Sequence, residues 1–184
     1  MSAPAASARR EADTAVGLLV FLGTTAMLFA ALLLAYGILR AQAPQWPPAG
    51  SLPLPRGAAG ANTLVLAGAS AALWRARRAK ARAWVAAAGA LGAGFLAGQI
   101  VLWRHMVAGG LGPRGQMPGQ VFLALSALHA LHVTGGLAVL AFSSRGGSKG
   151  PFGGPSLSRL RLVSLYWDFV LVVWVILYVA VCWL

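Results

Sequence analysis

The chain has 184 residues, 59% hydrophobic and only 10% charged, with a mean hydropathy of +0.74. A soluble domain carries about a quarter charged residues, so this composition excludes an ordinary soluble fold. The net charge of +12 would point to nucleic acid in a soluble protein, but in so apolar a chain the positives read as loop anchors, and no nucleic-acid partner is expected. The single cysteine, Cys182, excludes an internal disulfide and leaves no Cys cluster for zinc or iron–sulfur ligation.

A spanning helix needs about 20 mainly apolar residues, and five such segments take up nearly the whole chain. The expectation is an all-α, polytopic membrane protein with a single membrane domain over residues 1–184. Its helices are predicted at about 14–39, 61–74, 83–103, 119–142 and 160–183. The first apolar run, Val16 to Leu39, is too long for a signal-peptide core and reads as a retained helix. Pro44, Pro47, Pro48, Pro53 and Pro55 stop it. The second segment is short and ends in the basic cluster Arg75, Arg77, Arg78, Lys80 and Arg82, read as a tight hairpin into the third. Glycine and proline between Gly109 and Pro118 separate the third from the fourth, and the Gly-rich stretch 143–158 separates the fourth from the last.

Loop charge sets orientation. Arg9 and Arg10, the basic hairpin, and Arg145, Lys149, Arg159 and Arg161 place eleven positives on one face, against Arg40, Arg56, Arg104 and Arg114 on the other. The positive-inside rule then puts the N-terminus in the cytoplasm and the C-terminus outside. The hairpin arginines and Lys80 can hold anionic lipid headgroups or serve as topology anchors alone. Gly89, Gly92, Gly94 and Gly98, with Gly135 and Gly136, predict close helix packing. Trp46, Trp74, Trp84, Trp103 and Trp183 fall near the predicted interfaces as an aromatic belt.

The notable polar groups inside the predicted spans are Thr24, Thr25, Gln99, Ser126, His129, His132, Thr134 and Asp168. Asp168 is the only acidic residue beyond the N-terminal tail, and a carboxylate within a span is a functional-site hypothesis by default. His129 and His132, at i and i+3, share one face of the fourth helix. At about 1.5 Å rise per residue, Thr25, His132 and Asp168 fall within roughly two turns of a common depth. Three readings stay open for this expected cluster of Thr25, His129, His132 and Asp168. Two histidines on one helix face cannot take opposite sides of a haem, His105 lies at a membrane boundary, and a metal site would need Asp168 to complete it. A proton path is the second reading. The third is mutual hydrogen bonding across helices, because lipid offers no other partner.

Four segments, in order, carry a family resemblance. They are Phe21-Leu22-Gly23-Thr24-Thr25-Ala26-Met27-Leu28-Phe29 with Ala35-Tyr36; Trp46-Pro47-Pro48 running to Asn62-Thr63; Leu128-His129-Ala130-Leu131-His132-Val133 with Gly135-Gly136; and Tyr166-Trp167-Asp168-Phe169-Val170 with Trp174. Together they resemble subunit III of the haem–copper oxidases over nearly the whole chain, in the short five-helix bacterial form. The family's intramembrane Glu falls at Thr25 here, its last-helix His at Asp168, and its following Asp at Leu171. The resemblance implies a subunit without a redox centre, with no cofactor bound by this chain, inside a proton-translocating cytochrome c oxidase. Haem and copper then belong to the partner subunits I and II. The chain packs on subunit I, holds phospholipid, and sustains proton uptake and stability during oxygen reduction. Cytochrome c or quinol as donor, and membership of a respiratory supercomplex, are left open. The Ala-, Gly- and Arg-rich composition points to a GC-rich bacterial genome and a plasma (inner) membrane. Two other readings stand beside this one: the related accessory protein of nitric oxide reductases, and a stand-alone proton or solute carrier using Asp168. A carrier of that kind could show an inverted repeat with broken helices at matching positions, and the sequence shows neither.

Overall fold

The computed structural model describes residues 3–46, 53–79, 81–112, 114, 117–145 and 157–183. Five helices make up this part of the chain: α1 (Ala3–Gln42), α2 (Arg56–Ala79), α3 (Arg82–Ala108), α4 (Met117–Arg145) and α5 (Leu157–Cys182). The first four outrun the predicted spans at both ends, α1 and α2 through flanking Ala, Arg and Gln residues that are strong helix formers, while α5 starts three residues earlier than predicted and ends one residue sooner, at Cys182. Arg75, Arg77 and Arg78 therefore ride on the last turns of α2, and Arg82 opens α3, where the sequence reads a hairpin. Asn62 and Thr63 lie inside α2 rather than at its predicted start. Lys80, Pro47, Pro48 and Lys149 lie outside the described residues.

Four helical stretches are long and apolar enough to cross a membrane: Ala12–Gln42, Arg82–Ala108, Met117–Phe142 and Leu160–Cys182. The fifth helix, α2, differs in composition. Half of its 24 residues are Ala or Gly, with Asn62, Thr63 and Ser70 inside and Arg at both ends. At about 1.5 Å per residue it is long enough for a hydrocarbon core of about 30 Å, but its side chains are small and polar rather than greasy. The reason is its place in the fold. Ala59, Leu66, Ala69 and Leu73 are fully buried, so one face of α2 is given over to its neighbouring helices, while Leu64 on another face is 74% exposed.

α2 packs on α3 and α5, and α4 also packs on α3 and α5, closing a four-helix ring; α1 lies outside it against α5. Neighbours in the ring run antiparallel. Asn62 meets Gln99 across α2 and α3, Trp103 meets Ser126 across α3 and α4, and Thr63 meets Trp174 across α2 and α5. Phe95, Trp167 and Trp174 fill the centre with Leu66 and Leu73.

Small residues set the spacing. A Cβ at Gly98 would come within 2.5 Å of the Asn62 side-chain oxygen, and one at Gly92 would run into the Trp167 indole. Gly94, which shares the GxxxG spacing with Gly98, would make only ordinary contact with Val65 at 3.7 Å. On α3 the packing role thus falls on Gly92 and Gly98, and on α4 it falls on Gly136, where a Cβ would come within 2.7 Å of the Tyr166 ring. α3 ends where Gly110 adopts φ 85°, letting Leu111 N–H bond the Met106 carbonyl at 2.8 Å.

Candidate functional site

Three groups of polar side chains occupy the interior and rim. The first runs along α2. Asn62 Nδ2 donates to the Phe95 carbonyl at 3.1 Å and to Gln99 Oε1 at 3.2 Å. Trp174 Nε1 donates to Thr63 Oγ1 at 2.8 Å, and Ser70 Oγ donates to Asp168 Oδ1. Each bond crosses between helices, where the polar group has no water to turn to. Gln99 Nε2, also buried, has no hydrogen-bond partner among the described residues.

The second group joins α1 to α4 and α5. Phe21, Thr25 and Phe29 recur every four residues and so share one face of α1. Phe29 meets His129 at 6.2 Å and His132 at 5.3 Å between ring centroids, and Phe21 meets His132 at 6.4 Å and Tyr166 at 6.3 Å. Thr25, buried, sits between these two phenylalanines. His129 is 1% exposed, with Phe95 and Trp174 rings at 5.9 and 5.0 Å completing an aromatic cage. Neither of its ring nitrogens has a hydrogen-bond partner among the described residues. His132 Nδ1 donates to the Leu128 carbonyl at 2.8 Å, and Tyr166 Oη donates to the His132 carbonyl at 2.7 Å.

Of the four residues expected to cluster, Thr25, His129 and His132 therefore gather around Phe29, while Asp168 bonds on the α2 side of α5. The reason is helical phase: Trp167 and Val170 point into the ring, and Asp168, one residue on from Trp167, turns out of it and is exposed. A charge at the helix centre costs about 2.5–3.5 kcal/mol on insertion scales, and Ser70 meets only one of the carboxylate's acceptor positions. Among the described residues, no three His, Cys, Asp or Glu side chains gather where a metal ion could be held. Thr24 and Thr134 bond carbonyls of their own helices, and Ser126 accepts from Trp103 Nε1 at 2.9 Å.

The third group is the basic rim. Arg78 stacks over Trp74 at 3.7 Å, Arg75 over Trp84 at 5.4 Å, and, at the opposite end of α2, Arg56 over Trp183 at 5.5 Å. Arg77 is half-buried and Arg82 exposed. Ser70 is the site residue that sequence reading missed. A lone serine in an Ala-rich helix gives no signal until its neighbour on α5 is known.

The fold and its polar groups define a polytopic helical membrane protein whose buried polar side chains tie helices together. No family model matches the chain. It is 32% identical over 173 residues to cytochrome c oxidase subunit 3 of Synechocystis sp., covering 90% of this chain and 73% of that one. A probable cytochrome c oxidase subunit 3 of Mycobacterium leprae is 32% identical over 183 residues, covering 95% and 90%. A cytochrome bo(3) ubiquinol oxidase subunit 3 of Pseudomonas putida is 36% identical over 100 residues, covering 53% and 47%. The chain belongs to the cytochrome c oxidase subunit 3 family.

Proposed function

We propose that the chain is the non-redox subunit III of a respiratory haem–copper terminal oxidase in a bacterial plasma membrane, packed on subunit I of a complex that also contains subunit II. The observation that carries this reading is the 32% identity maintained over about nine-tenths of the chain to cytochrome c oxidase subunit 3 proteins. Haem, copper and the oxygen chemistry belong to the partners. This chain supplies binding surface, lipid contacts and support for proton uptake and stability while the complex turns over.

The residues divide this work. All five helices cross the bilayer, α2 doing so under cover of its neighbours, and the basic rim of Arg75, Arg77, Arg78, Lys80 and Arg82 faces the cytoplasm by the positive-inside rule. Arg75 and Arg78, each placed over a tryptophan ring, present their N–H groups to lipid phosphates. Asp168 lies about eight residues, or roughly 12 Å, from the basic end of the last apolar stretch. It is the one carboxylate well inside a span among the described residues, and so the group through which proton uptake is supported. His129, His132 and Thr25 hold α1 on the ring.

Removal of this chain from the assembled complex tests the assignment. The oxidase lacking it should keep its optical spectrum and initial rate but lose activity progressively during turnover, most at alkaline pH. An unchanged working life would overturn the supporting role. Substrate tests with reduced cytochrome c and with quinol separate the two donor classes that the relatives' names represent.

A further inference from the structure

We propose that an outward stripe of α5, formed by Leu165, Asp168, Val172, Val175 and Val179, is the seam on which a transmembrane helix of a partner subunit packs, with a hydrogen-bond donor side chain of that helix opposite Asp168. The inference rests on the oxidase reading for the identity of the partner, and it deepens that reading by naming the docking face.

Spacing is the first observation. The five positions step by three, four, three and four residues, the a/d repeat of a helix seam, with one polar position among β-branched and aliphatic ones. Leu165, Val172, Val175 and Val179 are each 40–55% exposed. The opposite face of α5, with Trp167, Val170, Trp174 and Leu177, is already buried in the ring. α1 meets α5 elsewhere, through Tyr166.

Valines on such a face suit lipid as well as they suit a helix. Asp168 decides between the two. Its carboxylate is exposed, lies roughly 12 Å inside the apolar stretch, and has a side chain of one methylene, too short to reach the headgroups as a lysine would. Ser70 fills one of its acceptor positions. Lipid offers no donor for the others, whereas a side chain bearing N–H or O–H on a helix seated along the stripe does. The ring itself leaves no room for Asp168 to turn inward, since Trp167 and Val170 occupy that side.

The test uses the intact complex in native membranes. A photo-crosslinking residue replaces Val172 (Val172→p-benzoylphenylalanine), alone and together with Asp168→Leu. The seam predicts a crosslink to a membrane polypeptide that also co-purifies with the wild-type chain, and a yield about tenfold lower when Asp168→Leu removes the carboxylate. Should the double variant fail to accumulate, the single variant decides. Crosslinks to lipid alone, in a complex that still co-purifies, overturn the docking face and leave the oxidase reading standing. Crosslinks to a second copy of this chain overturn the partner named here. A yield unchanged by Asp168→Leu overturns the role of the carboxylate. If no oxidase subunit co-purifies with the wild-type chain, both readings fail.

Discussion

Ser70 on α2 donates its hydroxyl hydrogen to Asp168 Oδ1 on α5, joining residues 98 apart in sequence. The bond closes the ring of helices at the point where a carboxylate faces outward. Ser70→Ala removes the donor and leaves the acceptor unpaired. Interhelical hydrogen bonds in membranes contribute about 0.6 kcal/mol on average and up to about 1.7. The expected loss is about 1 kcal/mol, read from the unfolding of the chain in bilayers or bicelles.

Asp168→Asn keeps an acceptor for Ser70 but removes the charge. Assembly should survive, while turnover at alkaline pH slows or the oxidase inactivates sooner. Unchanged turnover and lifetime across the pH range would remove the proton role from Asp168.

His129 gives a different expectation. Its ring is caged by Phe29, Phe95 and Trp174, and neither nitrogen finds a partner among the described residues. Replacing an unsatisfied buried polar group by an apolar one of similar shape can be neutral or stabilising. His129→Phe should therefore leave thermal stability unchanged or raised. His129→Ala opens a cavity and should cost about 3 kcal/mol by analogy with other large-to-small core changes. Slowed turnover in a stable His129→Phe complex would show that the imidazole carries a proton instead.

Two glycines on α3 separate packing from spacing. Gly92→Ala drives a methyl group into the Trp167 indole, a fully buried side chain, and should destabilise by about 1–3 kcal/mol, the usual range for overpacking. Gly94→Ala, with ordinary contact to Val65, should be neutral. Melting temperatures of the two variants in one detergent make the comparison.

At the rim, Arg75→Gln with Arg78→Gln should lower the amount of anionic phospholipid that stays with the purified protein, measured by native mass spectrometry. Trp74→Ala and Trp84→Ala should act in the same direction, since each indole holds its arginine in place.

Much of this architecture is legible in the sequence because apolar runs and breakers report directly on helices. The five helices and the run of small residues on α3 come from patterns along one segment, but which glycines are tight does not, since Gly92 and Gly98 are and Gly89 and Gly94 are not. Partnership across helices does not. The common depth of Thr25, His132 and Asp168 follows from rise per residue, but the direction in which each points depends on how the helices are rotated when packed. That rotation turns the histidines toward Phe29 and turns Asp168 away, toward Ser70. α2 shows the same limit. Its small, polar composition reads as a short helix until its neighbours are seen to bury it. The family resemblance reached further than periodicity, because it draws on four ordered motifs rather than one, and the relatives' names agree with it.

Purification of the chain in mild detergent, with an optical spectrum and mass spectrometry of what accompanies it, decides whether it is an oxidase subunit. An oxidase spectrum together with subunits I and II is expected. A haem b and c complex that reduces nitric oxide, or a colourless protein that purifies alone, would contradict it.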